Sequence, residues 1–186
     1  MNDTLRVLGL AGSLRRESRN AALLRQAVEL APEGMTIEPF DGLGEIPLYN
    51  DDVYQAGFPE PVQRLRKAID AADGLLFVTP EYNHSIPGVF KNAIDWVSRP
   101  PEQPFDGKPG ALMSASPSLM GGTRSQAHLR LVLTALNVHL LASPQIMVGQ
   151  VGQKMDEAGR LTDTATRDRV TAQLAALADW IRRLRG

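Results

Sequence analysis

The chain has 186 residues, a formal net charge of −1 and no cysteine. This length suits one domain with a sizeable core, and no linker or shift in composition divides residues 1–186. Charges of both signs are interspersed, which argues against a nucleic-acid partner, and the lack of cysteine excludes disulfide and thiolate chemistry. No apolar run approaches the ~20 residues of a membrane span, and no signal-peptide pattern opens the chain. We therefore expect a cytoplasmic protein without a membrane partner.

Short apolar runs alternate with amphipathic segments along the chain. The apolar runs predict buried strands at residues 5–11, 35–40, 74–79, 110–115 and 138–141. The amphipathic segments predict helices at residues 20–30, 61–71, 89–97, 123–136 and 164–184. This alternation indicates an α/β fold, with a doubly wound, five-stranded parallel sheet flanked by helices.

The first predicted strand runs into a polar loop that leads directly to a helix. The first turn of a helix offers unpaired N–H groups and the positive end of the helix dipole, and a nearby arginine adds charge-assisted hydrogen bonds. We therefore predict a phosphate site formed by Gly12, Ser13, Leu14, Arg15, Arg16, Ser18 and Asn20. The spacing matches neither the P-loop nor the dinucleotide fingerprint, so a nucleoside triphosphate or a Rossmann-bound dinucleotide is not the first choice.

Two residue types in this loop have alternative interpretations. Ser18 is an equally good helix N-cap, a role compatible with a phosphate contact. Arg15 and Arg16 could be solvated charges, but their position beside glycine, serine and a helix start favours phosphate binding. We interpret Arg19 as solvated.

The third predicted strand ends in a loop bracketed by two prolines, Pro80 and Pro87. Because proline fixes the backbone and withholds an amide donor, we expect the intervening N–H groups to point outward instead of pairing in a ladder. Such a loop suits a flat ligand with a polar edge. Its predicted binding residues are Pro80, Glu81, Tyr82, Asn83, His84 and Ser85.

These two loops, together with residues 91–96, 114–117 and 121–124, resemble the NADPH-dependent FMN reductase family, the flavodoxin-like quinone and chromate reductases. The resemblance covers nearly the whole chain and implies a flavodoxin-like sheet of strand order 2-1-3-4-5. In that order the two loops meet in one crevice between the first and third strands. The resemblance further implies FMN phosphate against residues 12–18 and the flavin ring against residues 80–88. Ser116, Gly121 and Gly122 would close another side of the ring, whereas His84 stands where relatives often carry arginine.

The chain offers no strong candidate for a catalytic side chain. It has no Ser/His/Asp or Cys/His set, and His84, His128 and His139 lack metal-ligand spacing. Glu81 and Asp95 are not favoured as a carboxylate pair for general acid–base catalysis. Asp95 lies four residues after Lys91, a spacing that suits a surface ion pair on a helix. We therefore predict no catalytic residue and no metal, with FMN carrying the chemistry.

The resemblance implies an NAD(P)H-dependent oxidoreductase. Hydride would come from NADPH or NADH, and electrons would pass to a small-molecule acceptor such as a quinone, chromate, an azo compound or free flavin, with ping-pong kinetics. The first alternative is an FMN electron carrier without NAD(P)H turnover, although such carriers usually have a strongly acidic surface. A receiver module is nearly excluded, because Gly12-Ser13 and Pro80-Glu81 stand where it needs acidic residues.

The predicted helix 123–136 bears on the oligomeric state. It mixes apolar residues with arginine, and the apolar ones are Leu129, Val132, Leu133 and Leu136. This pattern suits a subunit interface or packing on the chain's own sheet about equally. The family resemblance favours the interface, so we predict a homodimer or homotetramer. Trp96 and Trp180 are interpreted as packing residues, and Asp51 and Asp52 as part of a solvated loop.

Overall fold

The computed structural model describes residues 4–186 and shows strands alternating with helices along the chain. The strands are β1 (Leu5–Ala11), β2 (Met35–Pro39), β3 (Gly74–Val78), β4 (Pro109–Ala115), β5 (His139–Leu140) and β6 (Ile146–Val148). The α-helices are α1 (Arg19–Glu29), α2 (Asp51–Gln55), α3 (Glu60–Ala71), α4 (Gly88–Val97), α5 (Thr123–Ala135) and α6 (Thr164–Arg185). Short 3₁₀ helices occupy Leu43–Glu45 and Val151–Gln153.

All strand pairs are parallel, and the sheet order is β2-β1-β3-β4, with β5 and β6 both beside β4. This confirms the predicted order 2-1-3-4-5. The sheet places the carboxyl end of β1 next to that of β3, where Ala11 pairs with Val78. In open parallel sheets this is the switch point at which ligands bind.

The fifth strand differs from the prediction of a continuous run over residues 138–141. It is split into β5, opposite the start of β4, and β6, opposite its end. Pro144 lies in the gap and has no N–H to donate to a ladder. Side chains satisfy the carbonyl groups there instead: Gln173 Nε2 donates to Pro144 O at 2.6 Å and Arg130 Nη2 to Leu141 O at 3.0 Å.

Helices cover both faces of the sheet. One face packs against α1 and α6, and the other against α3, α4 and α5. The five apolar residues of β3 have no polar face, which is the pattern expected of a strand buried on both sides. Trp96 is fully buried and donates its indole N–H to Pro47 O at 2.8 Å, while the indole N–H of Trp180 donates to His139 O at 2.7 Å.

The apolar face of helix α5, which was predicted to form a subunit interface, faces the core of its own chain. Leu129 and Leu133 are fully buried, and Val132 and Leu136 pack against the same core. These four residues therefore pack on the chain's own core, Leu129 and Leu133 completely and Val132 and Leu136 in part. The large apolar side chain that α5 does expose is Leu131, at 73%.

Asp51 and Asp52 form the start of helix α2, whose first turn is capped by Asn50. The prediction that they belong to a loop was therefore wrong. Within residues 4–186, no helix combines the length and hydrophobicity needed to cross a membrane.

Candidate functional site

The loops after β1 and β3 meet at the carboxyl end of the sheet, as predicted. Gly12 N donates to Val78 O at 2.9 Å, and the Ser13 hydroxyl lies 3.2 Å from the Tyr82 hydroxyl, within hydrogen-bonding distance. Sequence reasoning missed this second contact because it joins side chains 69 positions apart. The tyrosine thus bridges the two predicted halves of the site.

The loop between β1 and α1 is built as an anion cradle. Ser18 is buried and caps α1, its hydroxyl accepting from Ala21 N at 3.2 Å. Arg15 and Arg16 are exposed, and neither forms an ion pair within the described part of the chain. Unpaired amides, a helix start and two uncommitted guanidinium groups together favour a phosphate.

Several backbone amides in this loop have no acceptor within residues 4–186: those of Ser13, Leu14, Arg16 and Glu17. Gly12 is held against the buried Phe90, because a Cβ added at position 12 would lie 3.0 Å from the phenyl ring. The phenyl ring of Phe90 therefore supports the loop on its buried side, and the loop amides stay available to a ligand.

Asn20 and Arg19 turn away from the loop. The Asn20 side chain is buried and exchanges two hydrogen bonds of 2.9 Å with the backbone of Ala115. Asn20 therefore joins α1 to β4, and its contribution to cofactor binding stays a prediction. The expectation that Arg19 is solvated was wrong. Arg19 is half-buried, and its Nη1 donates a hydrogen bond to Asp156 O at 2.5 Å.

The proline-bracketed loop closes on itself as a two-residue hairpin. Tyr82 and Ser85 exchange both backbone hydrogen bonds, at 3.1 and 3.0 Å, so the expectation of outward N–H groups was wrong for these two residues. Asn83 and His84 form the tip with φ values of 48° and 64°, as a type I′ turn requires. The segment between the prolines is long enough for Tyr82 and Ser85 to pair with each other. The amides of Glu81, Asn83 and His84 take no part in this pairing and have no acceptor within residues 4–186.

The side chain of Glu81 has a role that the sequence did not reveal. Its carboxylate accepts from Arg124 N at 3.0 Å, from Ser125 N at 3.4 Å and from Arg124 Nη1 at 3.2 Å. Glu81 thereby caps α5, whose own N-cap, Gly122, has no side chain. Burial raises the pKa of Glu81, but the hydrogen bonds from Ser125 and Arg124 outweigh it, and the net shift is downward. Asp95 pairs instead with Lys91, at 2.6 Å, as expected.

A third loop, between β4 and α5, lies beside the first two. Gly121 and Gly122 have φ values of 62° and 90°, which favour glycine. A Cβ at Gly122 would lie 2.8 Å from Ser114 Cβ, so the turn also needs glycine for space. Ser116 lies just after β4, and its hydroxyl is 3.0 Å from that of Ser118.

The imidazole groups do not form a metal site. His84 is exposed, and His128 Nδ1 lies 3.0 Å from the Ser85 hydroxyl. Among residues 4–186, no cluster of three or more His, Cys, Asp or Glu side chains could hold a metal ion.

An open cleft of about 360 Å³ runs between the first two loops. Its walls are Gly12, Leu14, Arg15, Tyr82, Pro87, Gly88 and Val89. A Cβ added at Gly88 would meet nothing within 4 Å, which shows how open this side is. A second crevice of about 440 Å³ lies beyond Leu14, between α1 and residues 39–45.

These features fit the phosphate and the flat ring of FMN. The uncommitted amides before α1 suit the phosphate, and the hairpin tip and the glycine turn present backbone groups to a ring edge. A parallel sheet of this order with such a site at its switch point defines a flavodoxin-like nucleotide-binding protein.

Comparison with known proteins assigns the family. Residues 5–153 match the model of the NADPH-dependent FMN reductase family, and the chain belongs to this family. A protein named NAD(P)H-dependent FMN reductase from Pseudomonas aeruginosa is 54% identical over 186 residues, covering 100% of both chains. A protein named quinone reductase from Escherichia coli is 42% identical, again over 100% of both chains. The solved structure of FerB, a flavoenzyme NAD(P)H:(acceptor) oxidoreductase from Paracoccus denitrificans, has 35% identity and a TM-score of 0.87. It covers 96% of this chain and 98% of its own.

Proposed function

We propose that the protein is an FMN-dependent NAD(P)H oxidoreductase that reduces quinones and similar small acceptors. The observation that carries this proposal is the meeting of the loops after β1 and β3 around one open cleft, with uncommitted amides before α1 and at the hairpin tip. Relatives named FMN reductase and quinone reductase, at 54% and 42% identity over the full length, support the same activity.

The residues divide between the two ends of the cofactor. The free amides of Ser13, Leu14, Arg16 and Glu17 would hold the phosphate, and the side chains of Arg15 and Arg16 would add charge-assisted hydrogen bonds. The backbone at Glu81, Asn83 and His84 would bind one polar edge of the ring, and Ser116 with the Gly121–Gly122 turn would close another. Tyr82 would keep the two ends in register through its contact with Ser13.

When bound, FMN accepts hydride from a nicotinamide and delivers electrons to an acceptor. The chain's own contribution is position and electrostatics, because no side chain in the cleft is a strong nucleophile or metal ligand. The open side of the cleft would admit the nicotinamide and the acceptor in turn.

The electron-carrier alternative is less well supported. A carrier docks to protein partners through a charged surface, whereas this chain has a net charge of −1 with both signs interspersed. Oxidation of NADPH with no partner protein present separates the two functions.

We also propose that the protein works as a homodimer or homotetramer. Leu48 is 84% exposed, and it stands on a loop that Asn92 holds through hydrogen bonds to Tyr49 N at 2.8 Å and Pro47 O at 2.9 Å. A large apolar side chain exposed on a loop that is held in this way suits a subunit contact. Light scattering should give a mass of at least two 20.3 kDa chains, and a fully active monomer would contradict this part of the proposal.

The function is tested by reconstitution and turnover. The protein should bind one FMN per chain and then oxidise NADPH or NADH with a benzoquinone; chromate, an azo dye and free flavin complete the acceptor panel. Arg15→Ala should weaken FMN binding by about 1.5–3 kcal/mol if a charge-assisted hydrogen bond is lost. Arg183→Ala, at an exposed position near the end of α6, is the matched control and should leave binding unchanged. Failure to bind FMN, or binding without NAD(P)H oxidation, would refute the assignment.

A further inference from the structure

Four polar side chains are buried behind the carboxyl ends of β3 and β4. Thr79, Ser114 and Ser125 have no exposed surface, and Gln126 is 1% exposed. A buried hydroxyl or carboxamide is costly unless it is hydrogen-bonded, and apolar side chains could fill the same space without that cost. Their presence therefore calls for a reason other than packing.

The first pair fixes the loop after β3. The Ser125 hydroxyl donates to Pro80 O at 2.8 Å, and the Thr79 hydroxyl lies 3.0 Å from that of Ser125 and 2.9 Å from the same carbonyl. Pro80 O is thus held from two directions, at the first residue of the proline-bracketed loop.

The second pair fixes the loop after β4. The Ser114 hydroxyl donates to Gly121 O at 2.5 Å, and Gln126 Nε2 donates to the Ser114 hydroxyl at 2.7 Å. Gln126 Nε2 also donates to Ile146 O at 2.7 Å, which identifies this end of the carboxamide as nitrogen. The carbonyl of Gly121 is therefore tied to α5 through one intermediate hydroxyl.

We propose that Ser125 and Gln126 are positioning residues that together set the separation of these two loops. They are neighbours on the first turns of α5; Ser125 holds the Pro80 carbonyl, and Gln126 holds the Gly121 carbonyl through Ser114. Glu81 fixes the start of the same helix to the hairpin loop. Helix α5 therefore acts as a rigid spacer between the two surfaces that face the flavin ring. This inference rests on the proposed FMN site and adds the residues that set the distance between its two loops.

The chain supplies a matched control for this role. Gln173 on α6 is also 1% exposed, and its Nε2 donates to two carbonyl oxygens, of Leu112 and Pro144. Like Gln126, it leaves its Oε1 without a partner among the described residues. Gln173→Met therefore removes two hydrogen bonds from a buried carboxamide N–H donor, as Gln126→Met does, but neither of them involves the two loops.

The experiment compares these two variants in two measurements. In the FMN-free protein, hydrogen–deuterium exchange should accelerate in residues 79–86 and 116–123 for Gln126→Met and stay at the wild-type rate for Gln173→Met. With FMN, Gln126→Met should raise the dissociation constant roughly 3- to 10-fold, the effect of one neutral hydrogen bond, and change the visible circular dichroism of the flavin. Ser114→Ala, a smaller change, should reproduce both effects if Gln126→Met does not fold.

The outcomes separate the two claims. If the wild-type protein binds FMN but Gln126→Met and Ser114→Ala match Gln173→Met in both measurements, the positioning role is wrong and the proposed function stands. If the wild-type protein binds no FMN, the proposed function fails and this inference fails with it. Faster exchange confined to the two loops, together with an altered flavin spectrum, supports the inference.

Discussion

Replacement of Gly122 by alanine should damage both the stability of the fold and the FMN site. Gly122 has a φ of 90°, and an added Cβ would lie 2.8 Å from Ser114 Cβ and 2.9 Å from Ser114 Oγ. Ser114 is fully buried and bonded to Gly121 O, so it cannot move away freely. The left-handed backbone costs alanine about 1–2 kcal/mol. The overlap with Ser114 adds ~1–3 kcal/mol, a typical cost of overpacking.

The combined loss of about 2–5 kcal/mol is a large share of the ~5–15 kcal/mol that stabilises a typical protein. Gly107→Ala is the matched control, because Gly107 has a φ of +70°, in the left-handed region, with nothing within 4 Å of an added Cβ. The control therefore has the backbone strain without the overlap. Urea unfolding of both variants measures the difference, and an FMN titration shows whether the turn belongs to the site.

Gly122→Ala should unfold at a lower urea concentration than Gly107→Ala and bind FMN more weakly, whereas Gly107→Ala should keep wild-type affinity. Equal midpoints for the two variants would show that Ser114 does not confine the turn. Unchanged FMN affinity in a folded Gly122→Ala protein would remove the turn from the binding site.

The remaining predictions concern the bridge between the loops, the acid stability and the kinetics. Tyr82→Phe and Ser13→Ala should each weaken FMN binding modestly, by ~0.5–1.5 kcal/mol, and the double variant should lose less than the sum, because the two hydroxyls are in contact. If the double variant lost as much FMN affinity as the two single variants together, the contact between Ser13 and Tyr82 would not contribute to binding. Because the pKa of Glu81 is lowered in the folded protein, its stabilising contribution is complete above its ordinary value of 4.5 and is lost as the pH falls through the lowered pKa. Glu81→Gln should therefore unfold more easily than the wild type at pH 7, and the gap should narrow below pH 4.5; a constant gap would contradict this origin. Steady-state turnover should give parallel double-reciprocal lines for NADPH and quinone, and intersecting lines would reject one shared side of the cleft.

The sequence predicted the regular elements well because their patterns are local. The apolar run of β3 and the serine cap of α1 can each be recognised within a few residues, and the structure places both where expected. The alternation of strands and helices indicated a parallel sheet, and the family resemblance supplied the strand order that brings the loops after β1 and β3 together.

The errors came from contacts between distant parts of the chain. The apolar face of α5 looked the same for packing on its own sheet as for a partner, and only the fold shows Leu129 and Leu133 inside the core. In the break of the fifth strand, the carbonyl of Pro144 accepts a hydrogen bond from Gln173, which is 29 positions away. Likewise, no local pattern reveals that Glu81 caps a helix that starts 42 residues later, nor that Gln126 reaches Gly121 through Ser114.

A crystal structure of the protein with FMN tests the central claim most directly. The phosphate should lie against the amides of residues 13–17 with Arg15 or Arg16 in contact. The flavin ring should lie between the hairpin tip at Asn83 and His84 and the Gly121–Gly122 turn. A phosphate bound elsewhere, for instance in the crevice between α1 and residues 39–45, or a ring that does not touch the hairpin, would contradict the proposed site.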